Sequence, residues 1–198
     1  MDASDGQAVA TQDRESIKAN WQTLSQEGYT AFEKRRYVQA ETRFQDALKL
    51  AESLTQGKEA SKARDEDDRQ DFERLTKSLN NLAALYHLQA KYEMAEAMYD
   101  RCLDLKLALY GDDHLEVAVN LHNLAALSCA KLRWEKAEIL YTRALEIREK
   151  HLGKDHVELV PILKNYAIML RKIKREDEAA AMEARKSAIE AASAPAKK

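Results

Sequence analysis

The 198-residue sequence predicts an all-α fold, an α-solenoid built as an array of about four antiparallel helix pairs. Three observations predict it. Glycine and proline are scarce, 5 and 2 in the whole chain, and strands joined by tight turns need more of both. Hydrophobic residues at 45% and charged residues at 33% suit amphipathic helices, and the mix is too apolar for a disordered chain. A block of sequence also recurs every 42 residues, the mark of a repeat architecture.

The repeat is clearest in "YEMAEAMYDRCLDLK" at 92–106 and "WEKAEILYTRALEIR" at 134–148. The step from Ala95 to Ala137 is 42 residues, and one more step reaches Ala179. Ala40 meets the same frame after a longer interval, so about 13 extra residues separate the first two units.

From the N-terminus, residues 1–13 are polar and acidic and are expected to form a disordered tail. The repeat domain then runs over 14–191. Unit one, near 21–54, keeps Gly28, Ala40, Phe44 and Ala47. A charged insertion within 52–75 follows, expected to lengthen the helices on both sides and leave a solvated loop near Gly57 to Arg64. Unit two, near 76–109, sets Leu79, Leu82, Ala83 and Tyr86 on one stripe of its helix A at helical spacing. Units three and four lie near 118–151 and 160–191. Small residues at Gly28, Ala83, Ala125 and Ala167 meet small residues at Ala40, Ala95, Ala137 and Ala179, which lets helices A and B approach closely. Pro161 falls early in the last helix A, where a missing N–H costs little. The segment 192–198 is expected to be a second disordered tail.

The turns before units three and four read "GDDHLEV" and "GKDHVEL". Gly111 and Gly153 are expected to end the preceding helices. Asp113 with Glu116, and Asp155 with Glu158, have capping-box spacing at the start of helix A. That reading outweighs a metal site, because the two Asp-His pairs recur one repeat apart, too far for one ion.

These residues together resemble the tetratricopeptide repeat: Leu79-x2-Leu82-Ala83-x2-Tyr86, then Ala95-x3-Tyr99, and in unit three Leu121-x2-Leu124-Ala125, then Ala137-x3-Tyr141. The 42-residue period is similar to the kinesin-light-chain-type branch, whose repeats exceed the usual 34. Leucine stands where the family has tryptophan, no unit ends in proline, and unit four carries Glu183 at the aromatic position. The resemblance implies a right-handed superhelix whose A helices line a concave groove, and a non-catalytic scaffold or adaptor that holds an extended peptide.

On the helical wheel Asn81, Asn123 and Asn165 share position 6 of helix A, opposite the packing stripe, with Gln26 at the same place in unit one. In a groove they would form an amide row, each offering donors and an acceptor to a peptide backbone. The same amides could instead bond neighbouring helices. Asn80, His122 and Tyr29 flank the row, and Lys77, Lys164, Arg171 and Lys172 give it a net positive charge on a chain whose total is −2. An acidic peptide from a protein partner is the expected ligand. The alternative is self-assembly through the end repeats.

Other function classes find little support. The near-neutral charge argues against nucleic acid, and no apolar run suits membrane insertion. No Gly-rich phosphate loop, HExxH or Ser-His-Asp spacing suggests an enzyme, a cofactor or a metal. Two cysteines without a CxxC fit a reducing, cytoplasmic setting, and the expected state is a monomer or weak homo-oligomer.

Overall fold

The computed structural model describes residues 3–63 and 65–193, with side chains from residue 13 onward. Among the described residues there are eight α-helices, two short 3-10 turns and no strand. The helices are α1 (Ala3–Glu33), α2 (Tyr37–Thr55), α3 (Glu66–Leu88), α4 (Tyr92–Tyr110), α5 (Leu115–Ala130), α6 (Trp134–Leu152), α7 (Val160–Lys172) and α8 (Glu176–Ser193). Odd and even helices are the A and B members of four pairs. They fall into two compact units, Met1–Leu109 and Tyr110–Lys198, each holding two pairs.

In the first unit Trp21, Ala47, Ala51, Phe72, Leu75, Leu79 and Cys102 form one buried cluster. The Trp21 indole N–H satisfies itself on the Ser78 hydroxyl at 2.8 Å, so the ring is buried without an orphan donor. Ala40, Ala83 and Ala95 have no exposed surface, as close packing of A on B demands. Gly28 shows why a small residue is needed there: a Cβ built on it would stand 2.4 Å from the Phe44 ring. In the second unit Ala125, Ala137, Ala167 and Ala179 are likewise fully buried, around Leu159, Ile162 and Leu163.

Every A–B turn is built the same way. Arg35, Ala90, Leu132 and Lys174 take left-handed backbone, with φ of 57°, 58°, 57° and 63°. The next amide bonds back five residues: Arg36 to the Ala31 carbonyl at 2.8 Å, and Lys91, Arg133 and Arg175 to Tyr86, Ser128 and Leu170, each at 2.9 Å. This is the Schellman arrangement, which closes the orphan carbonyls of a helix end. None of the four left-handed residues is glycine, so the turns carry no glycine signal in the sequence.

The turns between units differ from expectation at their caps. Gly111 and Gly153 do adopt positive φ, 79° and 93°. The capping side chains, however, are histidines. His114 Nδ1 accepts the Glu116 amide at 3.1 Å and His156 Nδ1 accepts the Glu158 amide at 3.3 Å. Asp113 is drawn away instead to Lys150 and to His151, 3.4 Å off. A cap needs only an acceptor within reach of an orphan amide, and the imidazole supplies it while the carboxylate finds a cation. Before Pro161 the backbone makes a 3-10 turn over Val157–Leu159, and α7 starts at Val160, so the proline sits in the first turn.

Two boundary expectations are corrected. α1 begins at Ala3, so helix occupies most of the segment 1–13 assigned to a disordered tail. Helix α8 likewise continues through 192 and 193, while 194–198 lie outside the described residues. The insertion does not lengthen the first B helix: α2, α4 and α6 all have 19 residues. It lengthens α3, to 23 residues against 16 in α5. Nor is the loop merely solvated. Lys58 reaches Asp68 at 2.5 Å and Asp71 at 3.3 Å, and Ala60 and Ala63 pack on the buried cluster. The added α3 turn presents Asp67, Asp68 and Asp71 to Arg14 and Lys18 of α1, so its charges are matched.

Candidate functional site

The residues expected to form the asparagine row are held in two places, one in each unit. In the first, Tyr29 of α1 donates its hydroxyl to Asn81 Oδ1 of α3 at 2.6 Å. Tyr29 lies edge-on to Phe44, with ring centroids 5.4 Å apart. Burial raises its phenol pKa, so it remains a donor. Asn81 is only 7% exposed, so the face opposite the packing stripe is itself covered, in keeping with the alternative that these amides bond neighbouring helices. A wheel drawn for one helix pair omits the neighbouring A helix, and α1 covers this side of α3. Only the carbonyl of Asn81 is used, however. Its amide nitrogen is buried with no acceptor.

In the second unit the pairing is reversed. Asn165 Nδ2 of α7 donates to His122 Nε2 of α5 at 2.9 Å. The amide can only donate here, so the imidazole accepts through Nε2 and is neutral. Burial pushes the His122 pKa down to about 4, with Arg148 adding to the shift, which agrees with a neutral ring. The carbonyl oxygen of Asn165 is left over. Asn81 and Asn165 therefore do bond neighbouring A helices, and each of these two keeps one amide group beyond that bond.

An open pocket of about 350 Å³ adjoins Asn165. Cys129, Trp134, Tyr141, Ile168 and Lys172 line it, so its wall is mostly apolar with one ammonium group at the side. Tyr141 stacks on Tyr166 with centroids 5.5 Å apart. Burial raises the Cys129 thiol pKa, so it is a neutral wall group and not a reactive thiolate.

The remaining predicted residues are dispersed. Lys77 is exposed and lies 5.9 Å from the Trp21 ring. Lys164 is exposed, and Asn80 and Asn123 are half-buried. Gln26 opens onto a different hollow, between α1 and α2. Arg171 does not contribute the free charge expected of it, because it pairs with Glu183 of α8 at 2.5 Å and lies 3.8 Å from Glu176. Glu183, the departure from the aromatic position in unit four, thus has a role as the partner of Arg171.

A second set of side chains escaped the sequence reading. Lys91, in the turn before α4, pairs with Glu41 of α2 at 3.0 Å. Arg175, at the same place before α8, pairs with Glu138 of α6 at 2.7 Å. Beside each pair a tyrosine of the A helix meets the ninth residue of the preceding B helix: Gln45 donates to the Tyr86 hydroxyl at 3.1 Å, and Thr142 lies 3.4 Å from that of Tyr166. The signal was present in the recurrence of a basic residue one position before each B helix, at 36, 91, 133 and 175.

Against this geometry the comparisons are decisive for the family. The sequence profile of the tetratricopeptide repeat matches residues 74–150 and 120–188, together more than half of the chain. The chain belongs to the tetratricopeptide repeat family. Proteins of this family are protein–protein interaction scaffolds, and the all-α class is the one that the sequence predicted. No curated protein matches this tetratricopeptide repeat chain. Its fold is similar to the crystal structure of BtubC (BKLC) from P. vanneervenii, with a TM-score of 0.76 and 20% identity over 98% of this chain and 72% of that one. It is also similar to a Podosopora anserina chain described as a kinesin light chain with nearly identical TPR-like repeats, at TM-score 0.56 and 14% identity over 93% and 92% of the two chains. A single-residue variant of that protein gives 0.57 and 15%. The α-solenoid class and the kinesin-light-chain-like repeat are thus shared with solved structures. No helix among the described residues is long and apolar enough to cross a membrane.

Proposed function

We propose that the chain is a non-catalytic adaptor that holds an extended, acidic peptide segment of a partner protein on its A-helix surfaces. The observation that carries this reading is the amide nitrogen of Asn81, buried and without an acceptor beside a carbonyl already engaged by Tyr29. A buried unpaired donor costs about 1–3 kcal/mol, and a peptide carbonyl that reaches it as the covering side chains move aside would remove that cost. Asn165 offers the complementary group, an unused carbonyl oxygen, to a peptide N–H. Lys172 supplies positive charge near Asn165, and the pocket beside it suits one apolar side chain. Both cysteines are free thiols, which fits a cytoplasmic location.

The test is a selection of peptides on the purified protein, repeated with Asn81→Ala and Asn165→Ala. The wild type should enrich acidic sequences, and each variant should weaken the selected peptides by about tenfold at unchanged helicity, as loss of a buried hydrogen bond requires. Equal affinity for wild type and both variants would remove the amides from the binding surface.

A further inference from the structure

We propose that the open face of α1 and α2 is a docking site for an acidic helix of a partner protein, which pairs with Arg36. The proposal is carried by the α2–α3 and α6–α7 junctions, one inside each unit, and does not depend on the asparagine surfaces. At each junction a B helix packs on the next A helix. The fifth residue of that B helix is a glutamate, Glu41 or Glu138, and it holds the basic residue of the following turn, Lys91 or Arg175. The ninth residue, Gln45 or Thr142, meets a tyrosine hydroxyl.

Arg36 occupies the same place in the first turn as Lys91 and Arg175, with the same Schellman bond behind it. No described B helix precedes it. Its guanidinium is exposed and has no acid partner among the described residues, and the same holds for Lys34. Both face a hollow of about 740 Å³ between α1 and α2, where the one acid, Glu27, is taken by Arg43 at 2.9 Å. Val38, 82% exposed, stands in the adjoining wall and offers apolar contact. The site therefore repeats the basic side of the charge pair at those junctions, with two unmatched cations, while Ala31 and Glu27 stand where α3 and α7 place their tyrosines.

A second copy stacked through its own last helix does not supply the other half. In α8 the fifth and ninth residues are Ala180 and Ala184, in place of glutamate and a hydrogen-bonding side chain. Head-to-tail stacking would leave Arg36 without its carboxylate. The chemistry that fits is a helix of another protein with glutamate on its first turns, contributing charge pairing at the rim and apolar contact to Val38.

A fluorescent, stapled helical peptide of the α6 sequence, Trp134–Leu152, carries the required glutamate and serves as the probe. Its titration with the full chain should saturate. Arg36→Glu should weaken it by at least about tenfold, and a peptide with Glu138→Lys should recover affinity for that variant, since the charges are swapped. Absence of saturable binding, or equal affinity for wild type and Arg36→Glu, overturns the proposal. Sedimentation of the wild type alone gives the third outcome: concentration-dependent oligomers that Arg36→Glu dissolves would assign the face to a second copy and also overturn it.

Discussion

The Tyr29 hydroxyl donates to the Asn81 carbonyl across 2.6 Å, joining α1 to α3 through a residue that the wheel of its own helix sets on the unpacked side. This bond orients the asparagine, and with it the direction of the amide nitrogen. Tyr29→Phe should lower stability by about 1 kcal/mol, and a double-mutant cycle with Asn81→Ala in urea should return a coupling of similar size. Zero coupling would mean that the bond does not hold the two helices.

His122 makes stability depend on pH. Its folded pKa, about 4, lies below the ordinary value of 6.5. Between those values the unfolded chain binds a proton that the folded chain refuses, so stability falls as pH drops from about 6.5 toward 4 and is fully present above 6.5. The contribution reaches about 3 kcal/mol at most. His122→Gln, which can still accept from Asn165, should flatten the stability profile across that window. Unfolding midpoints collected from pH 7 to pH 4 test this directly.

Asp71 has no exposed side-chain surface and is met by Arg14, by Lys58 at 3.3 Å and by Arg74 at 3.1 Å. Asp71→Asn removes the one carboxylate that Arg74 pairs with, while Arg14 and Lys58 keep Asp68, and should cost about 1–3 kcal/mol in urea unfolding. Arg14→Ala should cost clearly less, because Arg14 is about a third exposed and Asp71 keeps two other partners. The reverse ranking would show that the network depends on α1 rather than on the buried carboxylate.

The A–B turns can be improved. Lys174 is exposed and held at φ 63°, where a side chain is strained and glycine is not. Lys174→Gly should raise stability by about 1 kcal/mol, and Ala90→Gly should do the same in the first unit. Thermal melts that move down instead would show that the loss of side-chain contacts outweighs the relief of backbone strain.

Much of this was legible in the residues. The alanines at 42-residue steps and the stripe of Leu79, Leu82 and Ala83 predicted which surfaces pack, because close approach of two helices requires small side chains whatever lies around them. The asparagine surfaces were half legible: Asn81 and Asn165 stand out by their period, but their helix bonds to Tyr29 and His122 span more than 40 residues and have no local signature. The histidine caps were missed because an aspartate with ideal spacing stood beside each one.

By itself, then, the sequence determined the repeat, the helix pairs and the small-residue contacts, all of which follow from periodicity within one or two turns. Only tertiary structure decided which charges are matched. Arg171 is paired by Glu183, Asp71 is enclosed by three cations, and Arg36 is left open. The physical reason is that a charge is silenced by what lies within a few ångströms in space, and that neighbour is set by packing rather than by order along the chain.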